Sequence, residues 1–336
     1  MTDSLAFAGT AVASAALAFA LHLAGVGADT PPWAFLAFVV CIDVAHVWST
    51  LFRTYLDADE LRARPMLYAA APLLAFGLSV AACAHSPATF WRLLAYVAVW
   101  HFVRQQVGWM ALYGRRAGHG TLTLRLDALV MYATTLGPVV WWHAHLPRPF
   151  WWFQENDFVG GLPAWVGDLA LGLHFAVLAG WLGFSLARRQ LHAGKALLVF
   201  ATWVSWFGGI VLAQSDLAFT VMNVALHGVP YLVLVRQYAK GREAEGRFGV
   251  AGALVRGGVP AFLGLLVALA FVEEGLWDRL VWHDHAVLFG GGVELSAGLL
   301  TLLVPLLALP QTTHYVLDGF VWTSASHPRL RERLGW

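Results

Sequence analysis

The chain contains ten runs of about 20 apolar residues, and this repetition restricts its fold more than any other feature. A helix needs about 20 such residues to cross the hydrocarbon core of a bilayer. The composition agrees, because 59% of the 336 residues are hydrophobic and only 12% are charged, whereas soluble domains are about 25% charged. We therefore predict an all-α, polytopic integral membrane helix bundle. The predicted spans are 5–27, 33–52, 66–84, 88–112, 126–145, 163–187, 195–214, 216–236, 258–275 and 295–322.

Three further features of the predicted bundle follow from local composition. The last span contains Pro305 and Pro310, and proline kinks a helix, so we expect a kink there. Segment 241–257 is rich in Gly, Arg and Glu and is predicted to be a flexible connector, whereas the aromatic segment 147–153 is predicted to lie on the membrane surface. No stretch indicates a separate soluble domain, so residues 1–336 are predicted to form a single transmembrane domain.

Lysine and arginine alternate between the two sides of the predicted spans. Seventeen of the 21 fall in the loops after spans 2, 4, 6 and 8 or in the C-terminal tail. Because cytoplasmic loops are enriched in basic residues, both termini are predicted to be cytoplasmic in a multi-pass protein of the cell membrane. The seventeen are Arg53, Arg62, Arg64, Arg115, Arg116, Arg125, Arg188, Arg189, Lys195, Arg236, Lys240, Arg242, Arg247, Arg256, Arg329, Arg331 and Arg333.

The overall charge and the cysteines exclude some classes of function. The formal net charge is +1, which gives no electrostatic reason to expect a nucleic-acid partner. The two cysteines, Cys41 and Cys83, are far apart in apolar segments, so neither a disulfide framework nor a thiolate metal site is expected. The partners that the sequence predicts are the lipid bilayer and an apolar small molecule.

Four of the spans each contain a histidine in mid-helix with a polar residue one helical turn away. Residues three or four apart share a helix face, and ionisable groups at membrane depth usually face the bundle interior. Three of the four histidines lie about 17–20 Å below the same membrane face, at a rise of about 1.5 Å per residue. The pairs are Asp43 with His46, His101 with Gln105, Asn223 with His227, and His314 with Asp318.

These residue types indicate a metal site built across the bundle. Imidazole suits iron, copper and zinc, and histidines with a carboxylate and open positions are typical of non-haem iron oxygenases. We predict that the metal is iron, with copper or zinc as alternatives, and that one or two ions are bound. The predicted ligands are His46, His101, His227 and His314, with Asp43 and Asp318 either ligating or orienting, and with Gln105 and Asn223 orienting neighbouring ligands.

Other polar residues close to these faces are candidates for catalysis or packing. Arg104 is predicted to pair with Asp43, with Asp318 or with an anionic substrate group, since a buried charge needs a partner. Tyr231 and Tyr315 offer hydroxyl groups that can bind substrate or donate protons. His174 has no polar residue one turn away and is predicted to be a packing residue outside the metal site. The segment around Trp282-His283-Asp284-His285, with Glu273 and Glu274, is predicted to form a small acidic surface patch.

The function that these features favour is a metal-dependent membrane oxidoreductase, specifically a non-haem iron oxygenase with a separate electron donor. A site within the bilayer favours a lipid, an isoprenoid or another apolar substrate. The repeated HxxxH and HxxHH boxes of membrane desaturases and alkane hydroxylases are absent. Two alternatives remain open: a haem- or quinone-binding electron-transfer protein, and a proton-coupled transporter whose histidines and aspartates relay protons.

Overall fold

The computed structural model describes residues 5–27, 29–246 and 248–322. Within these ranges it consists of helices and connecting loops, with no β-strand, so the predicted all-α class is confirmed. Four of the basic residues counted above, Arg247, Arg329, Arg331 and Arg333, lie outside the described residues. The helices are α1 (Ala6–Leu23), α2 (Pro32–Arg53), α3 (Ala58–Ala63), α4 (Pro65–His85), α5 (Pro87–Arg116), α6 (Thr121–Ala144), α7 (Ala164–Ala187), α8 (Ala193–Leu212), α9 (Asp216–Ala244), α10 (Gly249–Arg256), α11 (Gly258–Trp282), α12 (Ala286–Phe289), α13 (Ala297–Leu307) and α14 (Leu309–Val321).

Eight helical segments in the described part of the chain are long and apolar enough to cross a membrane, judged by length and composition. They are α1, α2, α4, α7, α8, α9, α11, and α13 with α14 taken together. The other two predicted spans form α5 and α6, of 30 and 24 residues. Both are long enough but more polar, since α5 contains Arg104, Gln105 and Gln106 in succession. A helical membrane protein is therefore supported, but the predicted count of ten spans is not confirmed.

The last predicted span is interrupted where its prolines lie. Helix α13 ends at Leu307 and α14 begins at Leu309, so the break at Ala308 lies between Pro305 and Pro310 and confirms the predicted kink. The prediction of a flexible connector over 241–257 is wrong, because α9 continues to Ala244 and α10 fills most of the remainder. Apolar residues among the polar ones explain the helix, since Val255 is buried in a cluster with Phe52 and Phe262.

The chain divides into two compact units. The first comprises Met1–Pro31 and Ala95–Pro230, and the second comprises Pro32–Leu94 and Tyr231–Trp336. Helices α5 and α9 each contribute residues to both units. That the chain forms a single transmembrane domain stays a prediction.

Aromatic side chains fill the core of the first unit, including part of segment 147–153. Phe150 is buried against Trp142 and Phe219, with ring centroids 4.6 and 5.1 Å away. The carboxylate of Asp157 holds this segment by accepting hydrogen bonds from the backbone amides of Trp152 and Phe153, among others. Phe150 thus packs inside the protein rather than on the membrane surface, because its ring buries more apolar area there.

Buried ion pairs account for some of the basic residues that the topology prediction counted. In the second unit, Arg53 donates to Glu60 at 2.9 Å. Arg242 donates to both carboxylate oxygens of Asp57, at 2.6 and 2.7 Å. In the first unit, Lys195 donates to Asp127 at 2.8 Å. All three cations are fully buried, so their positions reflect packing and pairing.

Candidate metal centre

Two of the singled-out histidines lie side by side in the second unit. His46 on α2 and His314 on α14 are each 1% exposed, and their ring centroids are 5.0 Å apart with an interplanar angle of 80°. The stretch of α2 before His46, Phe35–Val44, is wound as a π-helix, a form that occurs frequently at functional sites. In this edge-to-face arrangement, each of the two rings can direct one nitrogen at a common position.

A chain of hydrogen bonds runs from the ring of His314 to a carboxylate. Oγ1 of Thr50 lies 2.7 Å from Nδ1 of His314 and 3.1 Å from the hydroxyl of Tyr231. The Tyr231 hydroxyl donates to Oδ1 of Asp318 at 2.6 Å, and the Trp322 indole donates to the same oxygen at 3.2 Å.

The direction of this chain fixes which nitrogen of His314 bears the proton. A hydroxyl group has one hydrogen to donate, and Tyr231 gives its hydrogen to Asp318. Thr50 must then donate to Tyr231, which leaves Nδ1 of His314 as the donor to Thr50. Nε2 of His314 therefore keeps its lone pair, which is the state that a metal ligand requires.

The two aspartates lie beside the histidine rings. Oδ1 of Asp43 is 3.5 Å from Nδ1 of His46, and Oδ1 of Asp318 is 3.9 Å from Nδ1 of His314. Carboxylates next to the second ring nitrogen orient ligating histidines in metalloproteins. Whether the two aspartates ligate or orient stays a prediction.

The other two histidines lie together in the first unit. His101 on α5 and His227 on α9 are buried, with ring centroids 5.1 Å apart and an interplanar angle of 77°. The His227 ring stacks on Phe102, with centroids 3.5 Å apart and planes 9° from parallel. Nε2 of Gln105 donates to the backbone carbonyl of His227 at 3.3 Å. The geometry of this pair closely matches that of the pair in the second unit.

The side chain of Asn223, one turn before His227, is closely packed against α8. Its Nδ2 donates to the backbone carbonyl of Phe219 at 3.1 Å. A β-carbon at Gly209, in the π-helical end of α8, would collide with this amide. Glycine at position 209 therefore allows α8 to pack against Asn223. The Oδ1 atom of Asn223 and the Oε1 atom of Gln105 are buried acceptors without a hydrogen-bond partner in the described part of the chain.

All four histidines are buried, and each offers one ring nitrogen within 4.8 Å of the corresponding nitrogens of the other three. No other group of three or more His, Cys, Asp or Glu residues in the described ranges is as compact. The four histidines that the sequence singled out thus form one buried cluster, and neither Asp43 nor Asp318 belongs to it. The cluster could hold a metal ion.

The remaining predicted site residues have other surroundings. Arg104 is exposed and donates to the hydroxyl of Tyr132 at 2.6 Å, and Tyr315 accepts from Gln311 at 2.8 Å. Nδ1 of His174 lies 2.9 Å from the carbonyl of Ala133, and the ring stacks on Phe207, as suits the packing residue that the sequence predicts.

Sequence reasoning missed three residues of the site: Thr50, Phe102 and Trp322. Thr50 lies four residues after His46 on the same helix face, which is a signal that could have pointed to it. Phe102 and Trp322 are aromatic residues among many, and only packing distinguishes them. The chain matches no protein-family model, no curated protein and no solved structure.

Proposed function

We propose that the protein is a metal-dependent membrane oxidoreductase whose four histidines, His46, His101, His227 and His314, bind one transition-metal ion. The observation that carries the proposal is the burial of all four rings, each with a nitrogen within 4.8 Å of the others. Neutral imidazoles are ligands that suit iron, copper and zinc, and a shared cation best accounts for four ring nitrogens that converge at one place.

The spacing of the rings supports a single ion. With metal–nitrogen bonds of about 2.0–2.1 Å, the centroids of two imidazoles on one ion lie about 4.5–5.2 Å apart. The two pairs have centroid distances of 5.0 and 5.1 Å. A dinuclear site would need bridging carboxylates, but Asp318 already accepts hydrogen bonds from Tyr231 and Trp322. We therefore favour the mononuclear alternative.

The ligand set favours iron and redox chemistry. Four neutral imidazoles leave open positions on a six-coordinate ion, and open positions are what a catalytic metal needs for oxygen or substrate. Iron is the first choice, and copper and zinc remain alternatives. In this proposal Thr50, Tyr231 and Asp318 hold His314 in its ligating tautomer, and Asp43 orients His46. Arg104 and Tyr315 remain candidates for substrate contact.

A lipid, an isoprenoid or another apolar molecule is the proposed substrate. Eight apolar helices support a location in a membrane, and a membrane delivers such molecules. The first unit also contains a cavity of about 670 Å³, lined by Phe19, Trp203, Phe207 and Met222 and others, which is within the range of about 300–1,000 Å³ that ligand pockets usually have. Oxygen and an electron donor would be the co-substrates.

The cell membrane, with both termini in the cytoplasm, is the proposed location. It rests on the distribution of Lys and Arg between alternate loops. Three of the counted residues, Arg53, Lys195 and Arg242, are buried in ion pairs, so the argument depends on the remaining loop residues. Reporter fusions after residues 60, 120 and 190 should all report cytoplasm, and a signal from the other side would contradict the orientation.

Haem as the prosthetic group is less consistent with the ring spacing. Two axial histidines on a haem iron have centroids about 6 Å apart, with the macrocycle between them. Both pairs here are closer, at 5.0 and 5.1 Å. A proton-coupled transporter remains the other alternative and predicts a protein that functions without a bound redox metal.

Metal analysis of the purified chain tests the proposal. We expect about one iron per chain, no Soret band, and loss of the metal in His101→Ala and His314→Ala while the protein still inserts. A Soret band would support the haem alternative. A chain without metal, even after incubation with Fe(II), Cu(I) and Zn(II), would contradict the proposed function.

A further inference from the structure

The middle of α5 carries an exposed arginine. Arg104 lies 12 residues after Arg92 and 12 before Arg116, about 18 Å from each along the helix axis. We take α5 to cross the membrane, as the sequence predicts. Because the hydrocarbon core is about 30 Å thick, the two outer arginines then lie near its edges and Arg104 near its centre. A charged side chain at that depth is costly and usually has a partner of opposite charge.

Two contacts hold the guanidinium group of Arg104 near the middle of the helix. Its carbon Cζ lies 5.8 Å from the centroid of the Trp100 ring, one turn earlier on α5. Its Nη1 donates to the hydroxyl of Tyr132 on α6 at 2.6 Å. Basic side chains near the ends of membrane helices extend to the interface, but these contacts keep the charge of Arg104 beside Trp100. The cation therefore stays at mid-depth.

Within the described ranges, no acidic side chain neutralises Arg104. Its two contacts are with neutral groups, and no Asp or Glu in these ranges forms an ion pair with it. Tyr132 accepts from Arg104 and still has its own hydroxyl hydrogen to donate. A carboxylate beside these two side chains would therefore accept hydrogen bonds from both.

Exposed residues of α5 in the first unit form a stripe that contains Arg104. Its members are three or four positions apart and so share one helix face: Val97, Trp100, Arg104 and Gly108. Val97 and Trp100 are 47% and 53% exposed. A β-carbon at Gly108 would meet no atom within 4 Å, and a small residue on such a face lets another helix approach closely. The stripe is about 16 Å long, and its spacing fits the seam against one packed helix.

We propose that this stripe, together with Tyr132, docks a transmembrane helix of a partner protein that carries an Asp or Glu at mid-depth. The carboxylate of the partner accepts from Arg104 and Tyr132, and Trp100 packs beside it. Tryptophan, tyrosine and arginine are the residues that most often dominate the binding energy of protein interfaces. The docking face contains none of the four clustered histidines, so it does not depend on which ion they hold.

The charge of Arg104 favours this occupant over the others that a membrane offers. An apolar helix or a lipid tail would leave the guanidinium group unpaired. Lipid phosphate groups lie at the membrane surface, about 15 Å from the centre of the hydrocarbon core. A second copy of the chain, paired about a twofold axis through this face, would place the same patch against itself and bring two Arg104 side chains together.

Synthetic transmembrane peptides provide the probe for this face. The full chain, labelled with a fluorescent donor, is reconstituted in phosphatidylcholine vesicles at pH 8. Energy transfer to an acceptor-labelled peptide then measures association. Each peptide consists of about 20 Leu and Ala residues with Glu, Gln or Arg at its centre.

We expect the Glu peptide to bind the wild type at least fivefold more tightly than the Gln peptide. Arg104→Gln should abolish this preference, and Arg104→Glu should favour the Arg peptide instead. Because Arg104 is exposed, its variants should fold like the wild type. Arg125→Gln, at an exposed arginine near the start of α6, is the matched control and should keep the wild-type preference. Equal binding of the Glu and Gln peptides by the wild type would overturn the proposal.

Other occupants would give different results in the same vesicles. If spin-labelled stearic acid binds through Arg104 and the Glu peptide shows no preference, the occupant is the carboxylate of an anionic amphiphile, and the partner helix is ruled out. A wild-type dimer that Arg104→Gln separates into monomers would identify a second copy of the chain and would also overturn the proposal. These measurements need no added metal, so their outcome is separate from that of the proposed function.

Discussion

The hydroxyl of Thr50 lies 2.7 Å from Nδ1 of His314, and this contact determines which nitrogen of the ring has a lone pair for a ligand. Because Tyr231 uses its hydrogen on Asp318, Thr50 can only accept from His314. The proton therefore stays on Nδ1, and Nε2 keeps the lone pair that a metal ligand needs. Thr50 does not contact the metal, but in this way it would affect how tightly His314 binds the metal.

Replacing Thr50 should weaken metal binding without emptying the site completely. In Thr50→Val the isosteric methyl group removes the hydroxyl that accepts from Nδ1 of His314, and loss of such a supporting contact typically costs about 10–100-fold in metal affinity. Thr50→Ser keeps the hydroxyl group and is the matched control. Titration of the metal-free protein with Fe(II) or Zn(II) measures the effect. Equal affinities for the valine and serine variants would contradict the tautomer argument.

His174 offers a control for the histidine cluster, because it is equally buried but packs against Phe207. We expect His174→Phe to keep its metal and to lose about 1–2 kcal/mol of stability, because the hydrogen bond to the Ala133 carbonyl is lost. His101→Phe should lose most of its metal. Metal analysis and thermal unfolding of both variants make the comparison. A similar metal loss in both would show that packing, not ligation, holds the metal.

The membrane class, the location of the helices and the four histidines could be predicted from the sequence because each depends on a local pattern. Apolar runs of about 20 residues define the spans, and a polar residue one turn from each of His46, His101, His227 and His314 marks one helix face. The break at Ala308 followed from Pro305 and Pro310 in the same local way. These features require no knowledge of which helices are neighbours.

The features that the sequence did not give depend on contacts between distant segments. Glu273 and Glu274 were predicted to lie on the surface, but both are buried in the structure, where α11 packs on α2. Arg104 was expected to pair with Asp43, with Asp318 or with an anionic substrate group, and its hydrogen bond in the structure goes to Tyr132, 28 residues away. Thr50 looked like an ordinary helix residue because its partners, His314 and Tyr231, are more than 180 positions away. Pairwise packing of this kind leaves no periodic trace in one sequence.

Asp57 should make the stability of the second unit depend on pH at the acidic end. Burial alone raises the pKa of this carboxyl group, but hydrogen bonds from Arg242 and Tyr238 and the charge of Arg242 outweigh burial, and the pKa is lowered. A lowered folded-state pKa contributes stability above the unfolded value of about 4, and the contribution is lost as the pH falls through the folded value.

The variant Asp57→Asn measures this contribution. It should be less stable than the wild type at pH 7 by about 1–3 kcal/mol, the cost of losing charged hydrogen bonds. The difference should shrink below about pH 4, where the Asp57 carboxylate of the unfolded wild-type chain begins to take up a proton. Thermal unfolding in detergent between pH 3 and 7 provides the comparison. A difference that stays constant down to pH 3 would rule out the charge of Asp57 as its source.

The buried pair of Lys195 and Asp127 should be structural and independent of the metal. Lys195→Met leaves the buried carboxylate of Asp127 without its cation, which typically costs about 3–5 kcal/mol. In the double variant Lys195→Met/Asp127→Asn the charge is removed and Trp181 keeps an acceptor at position 127, so most of the stability should return. Both proteins should retain full metal content. A single variant as stable as the double variant would contradict this account.

X-ray absorption at the metal edge tests the central claim most directly, because it reports the ligands of the bound ion. With the purified chain loaded with iron, we predict one ion per chain and a first shell that includes four imidazole nitrogens at about 2.0–2.2 Å. In His46→Ala the shell should lose one imidazole, or the ion should be lost. A first shell made of oxygen ligands, or a wild-type spectrum in the His46→Ala variant, would contradict the four-histidine centre.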